Sequence, residues 1–555
     1  MSVRAISASN GCLRAALAEM KNHTQTDQGT RMRTIKIMKW SITSGRILAA
    51  AALLCGVVLV SIDAKFNITR PFPDDYDETN YINEVCADRS ILMNQGLVEF
   101  ARHFVLSGGI RPPGYRLAGF FVGLASQPSP AMLRSLSLLS LFVTALLLFL
   151  SGKEISGTNA GIVWASAFAF SMGAVSAALN FGTETTFLYP ALAGSLYGVA
   201  RWFHRVRPDA VTLGALALSA ALGSFSKVTF FAISAPLIGA AMLLAPETDQ
   251  RRRSLLAIFG AVAGGTLVTI PWWLANWRGA LWFAKFSSRW SIDSDVPWVI
   301  NAATNLLGVP FAIGFLIFFC WILVRANSLW KVPNRTPWNF VFVCLAGCLP
   351  LVALHIASPN HMMRLLTPAL IPGIGVVAVL LDLDGLLKRR VVSAFIALLL
   401  VVQTGIIARQ IPRMVFQDPW DWGRLREVVR AYGLPNPAIV LVGLTETFNP
   451  PQIQYPWLCH GEALPEPEWP YGRGGFENRP IDWSKLNSVL EQADVVLTAP
   501  RSLFGSSPDG QIDGQNNDEL ARRLRERSDV WTPVNLDFGM DSKTNILAFF
   551  RKNGR

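Results

Sequence analysis

The sequence predicts a polytopic α-helical membrane protein that ends in a small α/β domain. The chain of 555 residues is 51% hydrophobic and only 16% charged, and its mean hydropathy is +0.34. A soluble chain of this length would form several domains and carry much more charge. Apolar runs of nearly membrane-spanning length recur along the first 408 residues, whereas charged residues return after that point.

Eleven apolar runs are predicted to be transmembrane helices, because each approaches the length needed to cross the hydrocarbon core. They lie at residues 46–62, 133–150, 160–178, 185–203, 209–224, 228–245, 255–275, 299–324, 337–356, 366–383 and 391–408. Residues 1–40 are polar, and we expect them to form a disordered cytoplasmic tail. The segment 41–408 is therefore predicted to be the membrane domain.

The basic residues predict the orientation of this domain. Those that precede the first helix place the N-terminus in the cytoplasm: Arg31, Arg33, Lys36, Lys39 and Arg46. Counted from there, the intracellular loops are 151–159, 204–208, 246–254, 325–336 and 384–390, and all but the first are clearly basic. The loop 63–130 and the chain after residue 408 then face the periplasm of a bacterial inner membrane.

The outer loop 63–130 is predicted to contain helices that lie along the membrane surface. Its apolar stretches near 91–106 and 114–126 are short and flanked by charged residues and proline, which favours amphipathic interfacial helices. The alternative is that one of them crosses the membrane. Cys86 in this loop and Cys459 would both face the oxidising side, so the sequence leaves open whether they form a disulfide.

Residues 409–555 are predicted to fold as a small periplasmic α/β domain. Strands are expected at 438–444, 494–500 and 546–552, and amphipathic helices are expected between them. The insert 445–482, rich in proline and aromatic residues, is either an irregular cover near the membrane or a loop that contacts a substrate. No glycine-rich phosphate loop follows the strands, so we predict no nucleotide site there.

Polar residues gather at the outer ends of the predicted helices. The first loop contributes Asp77 and Glu78, and later loops add Glu184, Lys227, Asn276, Arg278, His361 and Arg364. Each alone could be an interface anchor. Together they suit an enzyme that acts on a lipid-borne substrate from the outer side. The middles of the predicted spans contain no ionisable residue, which argues against an ion-coupled transporter.

Several of these residues lie in motifs that resemble those of the GT-C glycosyltransferases. Asp77-Glu78-Thr79-Asn80-Tyr81 resembles the acidic signature in the first outer loop of protein O-mannosyltransferases and lipid A aminoarabinose transferases. Arg111-Pro112-Pro113-Gly114-Tyr115 is similar to a segment before their second span, with Gly114 in place of the usual leucine. The resemblance covers roughly residues 40–410.

Three later elements also resemble that family. Ser226-Lys227 is similar to the end of a middle helix, and Pro271-Trp272-Trp273 with Asn276 is similar to the element that follows it. Arg364-Leu365-Leu366-Thr367-Pro368 resembles a late element, with Leu365 where an aromatic residue is usual. The resemblance implies a GT-C-like fold and a sugar donor linked through phosphate to a polyprenyl chain in the bilayer. The acceptor is an unidentified glycan, lipid or protein, and no nucleic acid is involved.

The resemblance also implies roles for individual residues. Asp77 is expected to be the catalytic base in an inverting displacement, with Glu78 as its orienting partner or as a metal ligand. The donor phosphate is expected to bind Lys227, Arg364 and His361, and substrate to contact Tyr81, Arg111, Tyr115 and Asn276. Glu184 is either a ligand for a divalent cation or a charge at a helix N-terminus.

Two other classes remain open from the sequence. A polysaccharide polymerase or ligase would also use a polyprenyl-linked sugar, but would rely mainly on arginines in a large late loop. A non-catalytic transporter, flippase or assembly scaffold would not need the Asp77–Glu78 pair.

Overall fold

The computed structural model shows a helical bundle followed by a five-stranded sheet. It describes residues 44–68, 70, 73, 76–106, 111–182, 184–287, 297–414, 421–443, 445, 448–462, 466–468, 481–504, 508–537 and 546–552. The predicted tail at residues 1–40 lies outside these ranges, as does most of the second half of the insert 445–482.

The membrane domain consists of helices α1 to α17. Their bounds are α1 Ser44–Ile68, α2 Tyr76–Gln95, α3 Leu97–Leu106, α4 Gly114–Ala125, α5 Pro130–Ile155, α6 Thr158–Ala169, α7 Met172–Ala178, α8 Tyr189–Arg205, α9 Ala210–Ser226, α10 Thr229–Leu243, α11 Arg251–Leu267, α12 Ile270–Ser287, α13 Trp298–Asn301, α14 Val309–Trp330, α15 Arg335–Ala357, α16 Thr367–Leu383 and α17 Arg390–Met414. Short π- and 3₁₀-helical turns at Glu184–Leu188, Ala302–Leu307, Met363–Leu365 and Leu386–Lys388 join some of them.

Five of the described helices are long and apolar enough to cross a membrane: α1, α5, α14, α15 and α17. The bent pairs α6–α7 and α11–α12 bring the number to seven if each pair is one span, and α9, α10 and α16 are shorter apolar helices. Each of the eleven predicted spans overlaps at least one helix of the structure. The chain is therefore a multi-pass helical membrane protein, and the count of eleven crossings stays a prediction.

Three of the predicted spans are broken rather than straight. The run 160–178 bends by 59° between α6 and α7, and the run 255–275 bends by 70° between α11 and α12. The run 299–324 is interrupted at Gly308, whose positive φ of 85° favours glycine. The hydropathy of a run indicates that it is apolar, but it carries no information about such breaks.

A single buried amide satisfies backbone groups at two of these breaks. The Gln403 side chain in α17 donates hydrogen bonds to the Phe170 carbonyl after α6 and to the Leu307 carbonyl before Gly308, both at 3.1 Å. Broken helices in a bilayer need such partners, because lipid offers none. The broken elements pack against the turn Met363–Leu365. Gln403 therefore supports the segment that carries Arg364.

Segments that the sequence predicts to be intracellular lie together at one end of the bundle. Ser44 Oγ donates to the Lys388 carbonyl at 3.3 Å, and the Asn159 amide donates to the Leu387 carbonyl at 2.9 Å. Arg325 pairs with Asp384 at 3.2 Å. The other end of α1 lies near the end of α7 and the start of α5, because Asn67 donates to the Leu179 carbonyl and its own carbonyl accepts from Arg134.

The outer loop forms a long polar helix followed by two short ones. α2 is 20 residues long, whereas α3 has 10 and α4 has 12, too few to cross a bilayer. α3 exposes Leu97 and Val98, as expected of a helix that lies on an apolar surface. α3 and α4 are thus shorter than a membrane span within the described residues, and the orientation of the helices that follow them stays a prediction.

The chain after residue 420 forms a sheet covered by helices on both faces. The elements are α18 Trp422–Ala431, β1 Ala438–Leu441, α19 Pro450–Leu458, β2 Glu466–Glu468, α20 Trp483–Leu490, β3 Val495–Thr498, α21 Pro508–Glu526, β4 Trp531–Leu536 and β5 Ile546–Arg551. The sheet order is β2-β1-β3-β5-β4, with β1 parallel to β2 and β3 and with β5 antiparallel to β3 and β4. Alternate residues of β1 enter different cores: Ile439 and Leu441 pack on the side of α18 and α19, and Val440 packs on the side of α20 and α21.

A disulfide joins this sheet domain to the outer loop. Cys86 in α2 is bonded to Cys459 at the end of α19, with their Cα atoms 4.9 Å apart. Nearby, the Asn83 amide donates to the Pro451 carbonyl at 2.8 Å, and Gln127 donates to the Cys459 carbonyl. The bridge that the sequence left open is therefore formed. The beginning of the insert 445–482, which forms α19, packs along α2.

Candidate active site

The first turn of α2 places Asp77 between two arginines from distant parts of the chain. Arg111 Nη2 donates to Asp77 Oδ1 at 3.0 Å, and Arg364 Nη2 donates to Asp77 Oδ2 at 3.0 Å. The Asp77 side chain is 25% exposed, Arg111 is 21% exposed and Arg364 is 46% exposed. The structure thus brings together three of the residues that the sequence predicted for the site, in a location that solvent reaches.

Arg111 is held in place by aromatic rings. Its guanidinium carbon lies 5.1 Å from the centre of the Tyr81 ring and 5.0 Å from that of the Phe283 ring. Tyr81 occupies the same face of α2 as Asp77, one turn further along, and its ring lies 4.5 Å from that of Tyr115. Tyr81 and Tyr115 are both buried, so they shape the wall behind Arg111.

Arg364 lies in the turn Met363–Leu365, immediately before α16. His355 at the end of α15 fixes the loop before this turn: Trp298 Nε1 donates to its Nδ1 at 3.0 Å, so its Nε2 carries the proton and donates to the Met362 carbonyl at 3.1 Å. The His361 ring lies 5.8 Å from that of His355. His361 is therefore on the same loop as Arg364, half-buried and three residues away.

Glu78 faces away from Asp77 and is sealed in the protein. Arg134 donates to both of its oxygens, at 2.8 and 2.7 Å, and the Phe181 backbone N–H donates to its Oε1 at 3.1 Å. Both side chains of the pair are fully buried. Arg134 also donates to the Asn67 carbonyl at 3.1 Å. Glu78 thus ties α2 to α5 and, through Arg134, to the end of α1, and its role as orienting partner of Asp77 stays a prediction.

A second carboxylate network follows Asp77 along the same face of α2. Tyr115 donates its hydroxyl to Glu84, and burial raises the pKa of the Tyr115 phenol, which keeps this donor protonated. Arg116 forms a paired contact with Asp88 at 2.8 and 2.5 Å. Glu84, Asp88 and Arg116 were not among the predicted site residues, although the spacing of 77, 81, 84 and 88 repeats every three or four positions, as one helix face requires.

Asn276 and Lys227 occupy supporting positions. The Asn276 amide donates to the Val105 and Trp272 carbonyls at 2.6 and 3.0 Å, so it fastens α12 to α3 and its donors are not available to a substrate. Lys227 is half-buried and follows the last residue of α9. α4 begins close to this helix end, because a Cβ on Gly114 would lie 2.8 Å from the Phe225 carbonyl. Lys227 is thus at the same side of the bundle as Arg111.

The described donor groups do not fit a divalent cation. Within the described ranges, no group of three or more His, Cys, Asp or Glu side chains is close enough to hold a metal ion. Asp77 and Glu78 have both oxygens engaged by arginines. The Glu184 backbone begins a π-helical turn, but its side chain lies outside the described residues. The role of Glu184 as a ligand for a divalent cation therefore stays a prediction.

Comparison with solved structures identifies the fold. The chain resembles ArnT from Cupriavidus metallidurans bound to undecaprenyl phosphate, with a TM-score of 0.57 and 13% identity over 90% of this chain and 97% of that one. It also resembles the oligosaccharyltransferase from Archaeoglobus fulgidus tethered to an acceptor peptide (TM-score 0.52, 11% identity, 92% and 74% coverage). The same archaeal enzyme, AglB, matches in complex with an inhibitory peptide and a dolichol-phosphate (TM-score 0.51, 13% identity, 93% and 74% coverage).

No family model matches the chain, and no curated protein sequence matches it. The structural likeness nevertheless extends over nine-tenths of the chain and over nearly all of ArnT. The resemblance first indicated by the motifs at residues 77–81 and 364–368 is thus confirmed for the architecture: this chain has the GT-C fold.

Proposed function

We propose that this protein is a membrane glycosyltransferase that transfers a sugar from a polyprenyl-phosphate donor to an acceptor at the outer membrane face. The observation that carries the proposal is the Asp77 carboxylate between Arg111 and Arg364 in a chain with the GT-C fold. A sugar-transfer site needs a proton acceptor and a cation for the leaving phosphate, and Asp77 and Arg364 can supply them. The solved structures of this fold include complexes with undecaprenyl phosphate and dolichol-phosphate, which supports the same class of donor here.

The proposed reaction is a single displacement. Asp77 accepts the proton of an acceptor hydroxyl, and the hydroxyl oxygen bonds to the anomeric carbon of the sugar. The bond between that carbon and the phosphate oxygen breaks, and its electron pair leaves with the polyprenyl phosphate. No general acid is needed, because the leaving group departs as a stabilised anion. Attack from the face opposite the phosphate inverts the anomeric configuration.

The phosphate is assigned to the cations around Asp77. Arg364 offers a planar set of donors that can bind two phosphate oxygens at once, and Lys227 adds a point charge from the end of α9. His361 adds a donor from the loop that carries Arg364. Tyr81 and Tyr115 act behind the site, by holding Arg111 and Glu84, and Asn276 acts by holding α12. The sugar and the acceptor, which is a glycan, a lipid or a protein, are to be found by experiment.

Mass spectrometry of envelope glycans tests the proposal. A strain that lacks this protein is expected to lose one sugar from one envelope molecule and to accumulate the polyprenyl-phosphate sugar. The wild-type gene should restore the modification, and so should an Arg522→Ala variant, a matched control because Arg522 is an exposed arginine that pairs with Glu519 far along the chain. An unchanged glycan profile and an unchanged donor pool in the deletion strain would contradict a transferase role.

We also propose that the site and the sheet domain face the periplasm of a bacterial inner membrane. The basic loops and the Cys86–Cys459 bridge support this orientation, since disulfides persist on the oxidising side. A phosphatase fused after residue 410 is expected to be active, because that enzyme works only outside the cytoplasm, and one inserted at Arg252 is expected to be inactive. An active fusion at Arg252 together with an inactive fusion after residue 410 would show that the orientation in the membrane is the reverse of the one proposed.

A further inference from the structure

Arg111 and Arg364 form a two-guanidinium anion site that already contains an anion from the chain itself. Each arginine gives one Nη2 donor to a different oxygen of Asp77. Of the five N–H groups of Arg111, the contact with Asp77 uses one, and no other hydrogen bond of this side chain exists within the described ranges. Its plane is fixed by Tyr81 and Phe283. Arg111 is thus oriented and has donors to spare.

The chemistry of this site matches the phosphate of the proposed donor. A phosphate that links a sugar to a polyprenol is a diester, with one negative charge and two free oxygens. A carboxylate has the same charge and the same number of acceptor oxygens. Guanidinium groups bind both kinds of anion through paired hydrogen bonds. Asp77 is therefore the internal counterpart of the donor phosphate.

We infer that Arg111 and Arg364 together bind the donor phosphate and that Asp77 occupies their site when the donor is absent. The inference rests on the proposed function and assigns to Arg111 a contact with the phosphate rather than with the sugar or acceptor. Binding of the donor exchanges one anion for another, so neither guanidinium is left without a partner. The exchange frees the Asp77 carboxylate from two cations.

This exchange couples donor binding to activation of the base. Nearby cations favour the charged form of a carboxylate and so weaken it as a proton acceptor. Asp77 held by two arginines is a poor base, and Asp77 released from them is a better one. The acceptor hydroxyl is then deprotonated only when a donor phosphate is in place. After transfer, the polyprenyl phosphate is a monoester with more negative charge, so the same arginines retain the leaving group until it departs.

The test measures binding of undecaprenyl phosphate to the full-length protein in phosphatidylcholine nanodiscs, without any sugar. Asp77→Asn is expected to bind the lipid about three- to tenfold more tightly than the wild type, because the competing anion is gone. Arg111→Ala and Arg364→Ala are expected to bind at least about tenfold more weakly, as loss of a charge-assisted contact predicts. Arg364→Lys and Arg111→Lys keep the charge and the fold but lack the planar donors of a guanidinium, and they should also bind the lipid several-fold more weakly.

Glu84→Gln is the matched control. Glu84 is an exposed carboxylate on the same face of α2, about 10 Å further along the helix. Its hydrogen bond goes to Tyr115 and its ion pair to Arg116, and it acts on Arg111 only through its charge. Its replacement removes the same charge and should leave the affinity within about twofold. Equal gains in lipid affinity for Asp77→Asn and Glu84→Gln would show a general effect of charge and would overturn the exchange. Unchanged or weaker lipid binding by Asp77→Asn would also overturn it.

Two further arms separate the sources of the phosphate and the two proposals. Inorganic phosphate, added at the concentration at which undecaprenyl phosphate saturates the site, should not displace the lipid, because it lacks the chain anchored in the bilayer. Displacement at that concentration would assign the site to a soluble anion. The binding assay involves no transfer. If the protein proves not to transfer a sugar, the binding result therefore still holds. If replacing Asp77 leaves the lipid affinity unchanged, the exchange is wrong and the transferase proposal is unaffected.

Discussion

Asp77→Asn is expected to abolish sugar transfer in a protein that still folds and inserts. An asparagine has nearly the same shape but cannot accept the acceptor proton, and loss of a general base costs about 10²–10⁴-fold in rate. The change should be tolerated structurally, because Asp77 is partly exposed and belongs to the rim of the site. The measurement is a single-turnover transfer assay in nanodiscs, with the donor that accumulates in the deletion strain.

Two comparisons make this result interpretable. The Asp77→Asn variant should still form the Cys86–Cys459 disulfide and elute as the wild type does, which reports on the assembly of α2 with the sheet domain. Asp77→Glu keeps a carboxylate in a displaced position and should retain a fraction of the rate. Near-wild-type turnover by Asp77→Asn would remove this residue from the role of base.

The largest loss of stability is expected when the Glu78–Arg134 pair is broken from one side. Both side chains are fully buried, and Arg134 donates to both oxygens of Glu78. Replacing Glu78 with alanine leaves a buried guanidinium without its counter-ion, a change that costs about 3–5 kcal/mol. We expect a low yield and a much lower unfolding temperature in detergent for Glu78→Ala, and the same for Arg134→Ala.

The double replacement Glu78→Leu with Arg134→Met tests whether the loss arises from the unpaired charge. Well-packed apolar side chains can replace a buried ion pair at little cost, so the double variant should be more stable than either single one. Glu78→Gln separates structure from catalysis. If Glu78→Gln unfolds at the wild-type temperature and yet transfers no sugar, then Glu78 acts in catalysis, and the purely structural role is wrong.

The residues at the mouth of the site could be predicted because charge on the outer side of an apolar bundle is rare. Asp77 and Arg111 lie in the polar loop 63–130, Arg364 lies just before a predicted span, and the order of their motifs resembled a known family. The partner of Glu78 could not be predicted in this way. Arg134 stands at the start of an apolar run, where an arginine commonly anchors a helix at the interface. Only the direction of each side chain on α2 shows which carboxylate meets which arginine.

Features that depend on contacts between distant parts of the chain could not be predicted from the sequence either. The bends inside the runs 160–178 and 255–275 leave their composition unchanged, and the positive φ at Gly308 is visible only in the folded backbone. Strand β4 was missed because it contains Pro533, which argues against a central strand. The structure resolves this conflict by placing β4 at the edge of the sheet, where a missing backbone donor is tolerated. Strands β1, β3 and β5 have uninterrupted apolar sequences and were predicted.

The bridge between Cys86 and Cys459 can form only late in the synthesis of this protein. The two cysteines are 373 residues apart, so at a synthesis rate of about 5–20 residues per second Cys86 waits roughly 20–75 s for its partner. During that interval the apolar helices from α5 to α17 are made and can enter the bilayer, after α1, which precedes Cys86 in the chain. The other described cysteines, Cys55, Cys320, Cys344 and Cys348, belong to apolar helices and offer Cys86 no competing partner in water. Oxidation of α2 is therefore one of the last events in biogenesis, after the ribosome has passed the whole membrane domain.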